Sequence, residues 1–64
     1  MPTKVRDMIK KVQKAGWSQV PGAGKGSHRV FKHPSRAGIV VIPGQLWDDL
    51  APGTESNIKK AAGI

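Results

Sequence analysis

The stretch that decides the fold is Ser27-His28-Arg29-Val30-Phe31-Lys32-His33-Pro34-Ser35-Arg36-Ala37-Gly38-Ile39-Val40-Val41-Ile42. Ile39 to Ile42 is four consecutive β-branched residues, stopped by Pro43-Gly44, and it reads as a strand. Residues 27–33 alternate polar and apolar character and contain Val30 and Phe31, which predicts a second strand. Residues 34–38 are the turn between them. Upstream, residues 17–20 predict a short extended segment, and residues 21–26 a flexible, cationic loop with three glycines.

Helices flank these strands. Val5, Met8, Ile9, Val12 and Ala15 recur at helical spacing, with Thr3 as the expected N-cap and Gly16 as a left-handed residue past the end. Lys4, Arg6, Lys10, Lys11 and Lys14 fall outside that apolar arc, so this helix has one core face and one basic face. A last helix is expected to be capped by Thr54, with Glu55 in its first turn, Lys59 and Lys60 near its end, and a thin stripe of Ile58, Ala61 and Ala62. Ala15-Gly16-Trp17 and Ala62-Gly63-Ile64 share one kind of C-cap. Residues 45–52 are ambiguous: Leu46, Trp47 and Leu50 would pin a loop or a single helical turn onto the core. The order is helix, three short strands, helix, which argues an α+β layer: an antiparallel sheet with both helices on one face and its other face open.

The chain has 64 residues, so it is expected to be one domain (residues 1–64) with a small core. That length excludes a dinucleotide-binding half, a kinase lobe and any site built between two domains. The absence of cysteine removes disulfides, thiolate metal sites and a thiol nucleophile. Two histidines and four carboxylates make a zinc site hard to assemble, and no metal or other cofactor is expected. Nothing approaches a membrane span or the apolar core of a signal peptide, which predicts a soluble, cytoplasmic protein without a membrane partner. Eleven Lys/Arg against four Asp/Glu give a formal charge of +7. Such a field attracts polyanions, and nucleic acid is the commonest of them.

Candidate chemistry is sparse. Gly24-Lys25-Gly26 lacks the hydroxyl residue of a phosphate loop and leads into a strand, so that motif is excluded. The backbone N–H groups of this loop can still meet a phosphate. Histidine alone has an ordinary pKa near neutrality, and two of them suit general acid–base transfer at a phosphodiester. His28 and His33 are five residues apart on one strand, however, and point to opposite faces. His33, next to Pro34, reads better as a turn residue with local hydrogen bonds. His28 follows the cationic loop, with Arg29 and Lys32 close by. If Phe31 faces the core, His28 and Lys32 share the open face, and Val30 is exposed beside them. Asp48 and Asp49 suit local capping better than a metal pair, because adjacent side chains diverge.

Read together, Ala15-Gly16-Trp17, then Lys25-Gly26-Ser27-His28-Arg29-Val30-Phe31-Lys32-His33-Pro34, then Val40-Val41-Ile42-Pro43, Leu50-Ala51-Pro52-Gly53-Thr54 and Ile58 through Ala62-Gly63-Ile64 resemble the HicA toxin family over nearly the whole chain. These are the mRNA interferases of HicA/HicB toxin–antitoxin pairs. The resemblance implies a double-stranded-RNA-binding-domain-like α-β-β-β-α fold. It also implies ribosome-independent cleavage of mRNA by a single histidine in a G-S-H motif, which maps onto His28, and neutralisation by a HicB-type antitoxin. Lys25, Gly26, Ser27, Arg29 and Lys32 would surround the scissile phosphate, and Lys10, Lys11 and Lys14 would hold the RNA backbone. The chain departs from the family pattern in Gln45-Leu46-Trp47-Asp48-Asp49, which is longer than the expected spacer. The alternative function is a non-catalytic RNA-binding module of the same fold. Such modules carry a lysine cluster where this chain has Thr54-Glu55-Ser56-Asn57.

Overall fold

A computed structural model describes residues 3–22 and 28–64 of the chain. Among them are helix α1 (Val5–Lys14), strands β1 (Ser18–Gln19), β2 (Arg29–His33) and β3 (Arg36–Ile42), and helix α2 (Pro52–Ala62). The three strands form one antiparallel sheet in the order β1-β2-β3. The expected α+β, α-β-β-β-α arrangement is therefore present.

The core follows from the two periodicities. Val5, Met8 and Val12 recur on one face of α1, and all three are buried, with Ile9 packed against them. Phe31 on β2 and Val40 and Ile42 on β3 alternate inward, joining Trp17, Leu50, Ile58 and Ala62. Trp17 is buried, and its indole N–H donates to the Ala62 carbonyl at 3.1 Å, so its one side-chain polar atom is satisfied. On the other face of the sheet Val30 stands opposite Val41, and Ile39 and Val41 are exposed.

Both helices end as expected. The Trp17 N–H donates to the Val12 carbonyl and the Gly16 N–H to Gln13; the Ile64 N–H donates to Lys59 and the Gly63 N–H to Lys60. With Gly16 at φ +102° and Gly63 at φ +74°, these are two Schellman endings built on the same Ala-Gly-apolar triplet. Ala15 and Ala61, assigned to apolar stripes, are exposed instead. Ala15 already lies at the C-cap of α1.

The helix starts differ from expectation. Lys4, not Thr3, is the N-cap of α1, and it makes no side-chain cap. The Val5 N–H donates to the Asp48 carbonyl at 2.9 Å and the Arg6 N–H to Leu46 at 3.0 Å, so the 45–49 segment supplies the acceptors that a cap residue would. The Leu50 N–H donates to the Thr3 carbonyl, and Lys4 and Asp49 form an antiparallel bridge beside an ion pair of 2.8 Å. The Thr3 hydroxyl is thereby free to donate to the Glu55 carboxylate. Likewise α2 starts at Pro52 with Ala51 as its N-cap, three residues before the Thr54 expected there. Proline suits the first helical position because its missing N–H would have no partner.

The turn is also shorter than the five residues expected. Only Pro34 and Ser35 turn, and β3 begins at Arg36, paired with His33. An irregularity between Phe31 and His33 absorbs the change of register. Ala37 and Gly38 look like turn residues in isolation, but they lie within β3, in the stretch between the Arg36 and Val40 pairings where the register shifts. In the 45–50 segment only Leu50 is buried; Leu46 and Trp47 are exposed.

Candidate active site at the start of β2

The two histidines have opposite environments. His33 Nδ1 accepts the Ser35 N–H at 2.9 Å, and Nε2 lies 3.2 Å from the Ala15 carbonyl. Because an amide can only donate and a carbonyl only accept, the proton sits on Nε2. The ring also meets Trp17 edge-on, with centroids 5.3 Å apart at 63°. Both nitrogens are thus committed to the main chain, and His33 joins the end of α1 to the β2–β3 turn. This agrees with its reading as a turn residue and removes it as the acid of a histidine pair.

His28 immediately precedes β2 and is exposed, and no hydrogen bond or ion pair engages its ring among the described residues. Strand alternation carries His28, Val30 and Lys32 to the open face, opposite the buried Phe31. Lys32 is exposed and pairs with Ser18. At about 3.3 Å per residue its Cα is some 13 Å along the strand from that of His28. Val30, paired with Val41, is half-buried between them.

Arg29 turns the other way, toward the face of its partner Ile42. Its Nη1 donates to the Gly44 carbonyl at 2.7 Å, fastening the start of β2 to the segment that leaves β3. Lys25, Gly26 and Ser27 lie outside the described residues, as does most of the loop expected over 21–26.

The lysines of α1 are not gathered with His28. Arg29 pairs with Ile42, and Gly44 follows at the end where Leu46 and Asp48 accept from the first turn of α1. His28 therefore sits at the α1 N-terminal end of the molecule. Lys11 and Lys14 sit toward the other end, beside the Ala15 that His33 touches, and they line a groove with Lys59 and Ile64. Lys10, turned 100° from Lys11 on the helix, does not line this groove. Lys59 was not singled out in the sequence as more than a helix-end cation, because only tertiary packing brings it to Lys11.

The carboxylates are absorbed by structure. Asp48 Oδ2 accepts the Gln45 N–H at 2.9 Å, a local contact of the capping kind, whereas Asp49 is held by Lys4 from the far end of the sequence rather than capping its own segment. No group of three or more His, Asp or Glu is placed to hold a metal ion among the described residues. The Glu55 carboxyl is held below its ordinary pKa chiefly by the Thr3 hydroxyl; desolvation opposes this, and the charges of Lys59 and Lys11 each add a lesser lowering. What remains at this end is an exposed imidazole, and a tryptophan, Trp47, with 66% of its surface exposed. No described helix is long and apolar enough to cross a membrane.

The family model described as "HicA toxin of bacterial toxin-antitoxin" matches residues 5–64. No curated protein matches the chain. With all five elements of the fold inside the matched span, the chain belongs to the HicA toxin family, and is therefore a toxin of a toxin–antitoxin system.

Proposed function

We propose that the chain is a metal-independent endoribonuclease that cleaves mRNA without the ribosome, with His28 as its catalytic residue. The observation that carries this reading is the division between the histidines: one ring is locked by two backbone groups, and the other is exposed and unengaged. An imidazole in the second condition can take a proton from a ribose 2′-OH. The 2′-oxygen attacks the adjacent phosphorus, the bond to the 5′-oxygen breaks, that oxygen takes a proton from water, and the imidazolium of His28 returns its proton to solvent. The products are a 2′,3′-cyclic phosphate and a 5′-hydroxyl. A positioned base contributes about 10²–10⁴-fold to such a step.

Lys25 and the backbone N–H groups of Gly26 and Ser27 precede His28 directly in sequence and are the candidates to offset the phosphorane charge. Lys32 is better placed for a flanking phosphate. Arg29 contributes to the field and holds the start of the strand. A HicB-type antitoxin would neutralise the toxin by covering this end.

The rival reading, an RNA-binding module without chemistry, finds no support at the start of α2, where Glu55 is a carboxylate held ionised by Thr3 and Lys59. The test is product chemistry in EDTA. A ribose oligonucleotide should give 2′,3′-cyclic phosphate ends by mass spectrometry, and its 2′-O-methyl counterpart should stay intact. Cleavage of both substrates, or cleavage that EDTA abolishes, would overturn the mechanism.

A further inference from the structure

The ends of α1 and α2 leave between them a groove of about 450 Å³, lined by Lys11, Lys14, Ala15, Lys59 and Ile64. Its floor is aliphatic: the Ala15 methyl, the half-exposed Ile64 side chain and the methylene stems of the three lysines. Among the described residues no acidic side chain lines it. Neither Lys11 nor Lys14 makes a hydrogen bond or ion pair among the described residues. Lys59 lies 3.5 Å from Glu55, whose carboxylate is shared with Thr3. Asp7, one turn before Lys11, forms no ion pair among the described residues.

We propose that this groove docks a segment of a partner protein that places one large aliphatic side chain between two carboxylates. Three ammonium groups around an apolar floor complement that pattern at both its charged and its apolar parts. A nucleic acid would use the lysines alone: among the described residues no aromatic ring lines the groove to stack on a base, and its floor would stay uncovered. Membership of a toxin–antitoxin family supplies a protein partner, and the groove gives that partner a foothold away from His28. The inference does not depend on His28 being catalytic: Lys11 and Lys14, which the family resemblance offers to the RNA backbone, line this groove toward the other end of α1 from His28.

The test is a nuclear magnetic resonance titration of the ¹⁵N-labelled full chain with three probes. They are the blocked peptide Glu-Asp-Leu-Asp-Glu, the same peptide with Gly for Leu, and a single-stranded uridine octamer. Saturable shifts at the amides of Lys11, Lys14, Ala15, Lys59 and Ile64 are expected with the leucine peptide, with at least about fivefold weaker binding once leucine is removed. In the Lys11→Glu, Lys59→Glu double variant those shifts should vanish while the spectrum stays that of a folded chain. Equal affinity of the two peptides would overturn the proposal, since charge alone would then explain binding. So would shifts spread over all the lysines, or groove shifts that respond to the octamer more strongly than to the leucine peptide.

Discussion

A Cβ placed on Gly16 would stand 2.6 Å from Nε2 of His33, nearer than any side chain can approach, and Gly16 itself has φ +102°. The left-handed residue that ends α1 is thus also the one that lets the imidazole reach the Ala15 carbonyl. Gly16→Ala is expected to cost about 1–3 kcal/mol from backbone strain alone, and more from the displaced ring. Urea unfolding followed by circular dichroism measures it; a change under about 0.5 kcal/mol would contradict this description of the α1–His33 junction.

Trp17 carries the polar counterpart of that junction. Trp17→Phe removes both the donor to the Ala62 carbonyl and part of the core volume. A loss of about 1–3 kcal/mol in unfolding free energy is expected. Unchanged stability would mean that the bond to α2 contributes nothing.

Glu55 gives the fold a defined response to acid. Its carboxyl titrates below its ordinary value of 4.5 in the folded chain, so the stabilisation is present above that value and is lost as pH falls through the lowered one. Thr3→Val removes the largest cause of the lowering. Unfolding midpoints measured from pH 6 to pH 3 should therefore fall less steeply for the variant over the acid range. Parallel curves for variant and parent would show that the Thr3–Glu55 bond is not maintained in solution.

Much of this architecture was legible locally. The spacing of Val5, Met8 and Val12, the β-branched run of residues 39–42 and the two Ala-Gly-apolar endings each encode their structure within a few residues. His33 was legible too, because Pro34 and Ser35 follow it directly. The start of α1 was not: its first two N–H groups are satisfied by Leu46 and Asp48, which no local pattern announces. That is why Thr3 looked like a cap and why residues 45–49 looked like an unexplained spacer. The same limit hid Lys59, which meets Lys11 and Lys14 only through the packing of α2. The candidate site was legible only as far as His28 itself, since alternation assigns its face but not which cations share it.

Trp47 separates stability from binding. It is the most exposed of the large apolar residues described, on a segment fastened by the Lys4–Asp49 pair and the Asp48–Gln45 bond. Trp47→Ala should change unfolding free energy by less than about 0.5 kcal/mol. A larger loss by thermal denaturation would place the ring against the core in solution.

The most direct test sets the two histidines against each other in one experiment, measuring RNA cleavage rate and unfolding free energy for His28→Ala and His33→Ala. His28→Ala should unfold like the parent and cleave at least about 10²-fold more slowly. His33→Ala should lose stability by about 1–3 kcal/mol, the consequence of leaving the Ser35 amide without its acceptor, yet cleave at the parental rate at temperatures where it is folded. Parental cleavage by His28→Ala, or loss of cleavage by a fully folded His33→Ala, would contradict the assignment of chemistry to His28.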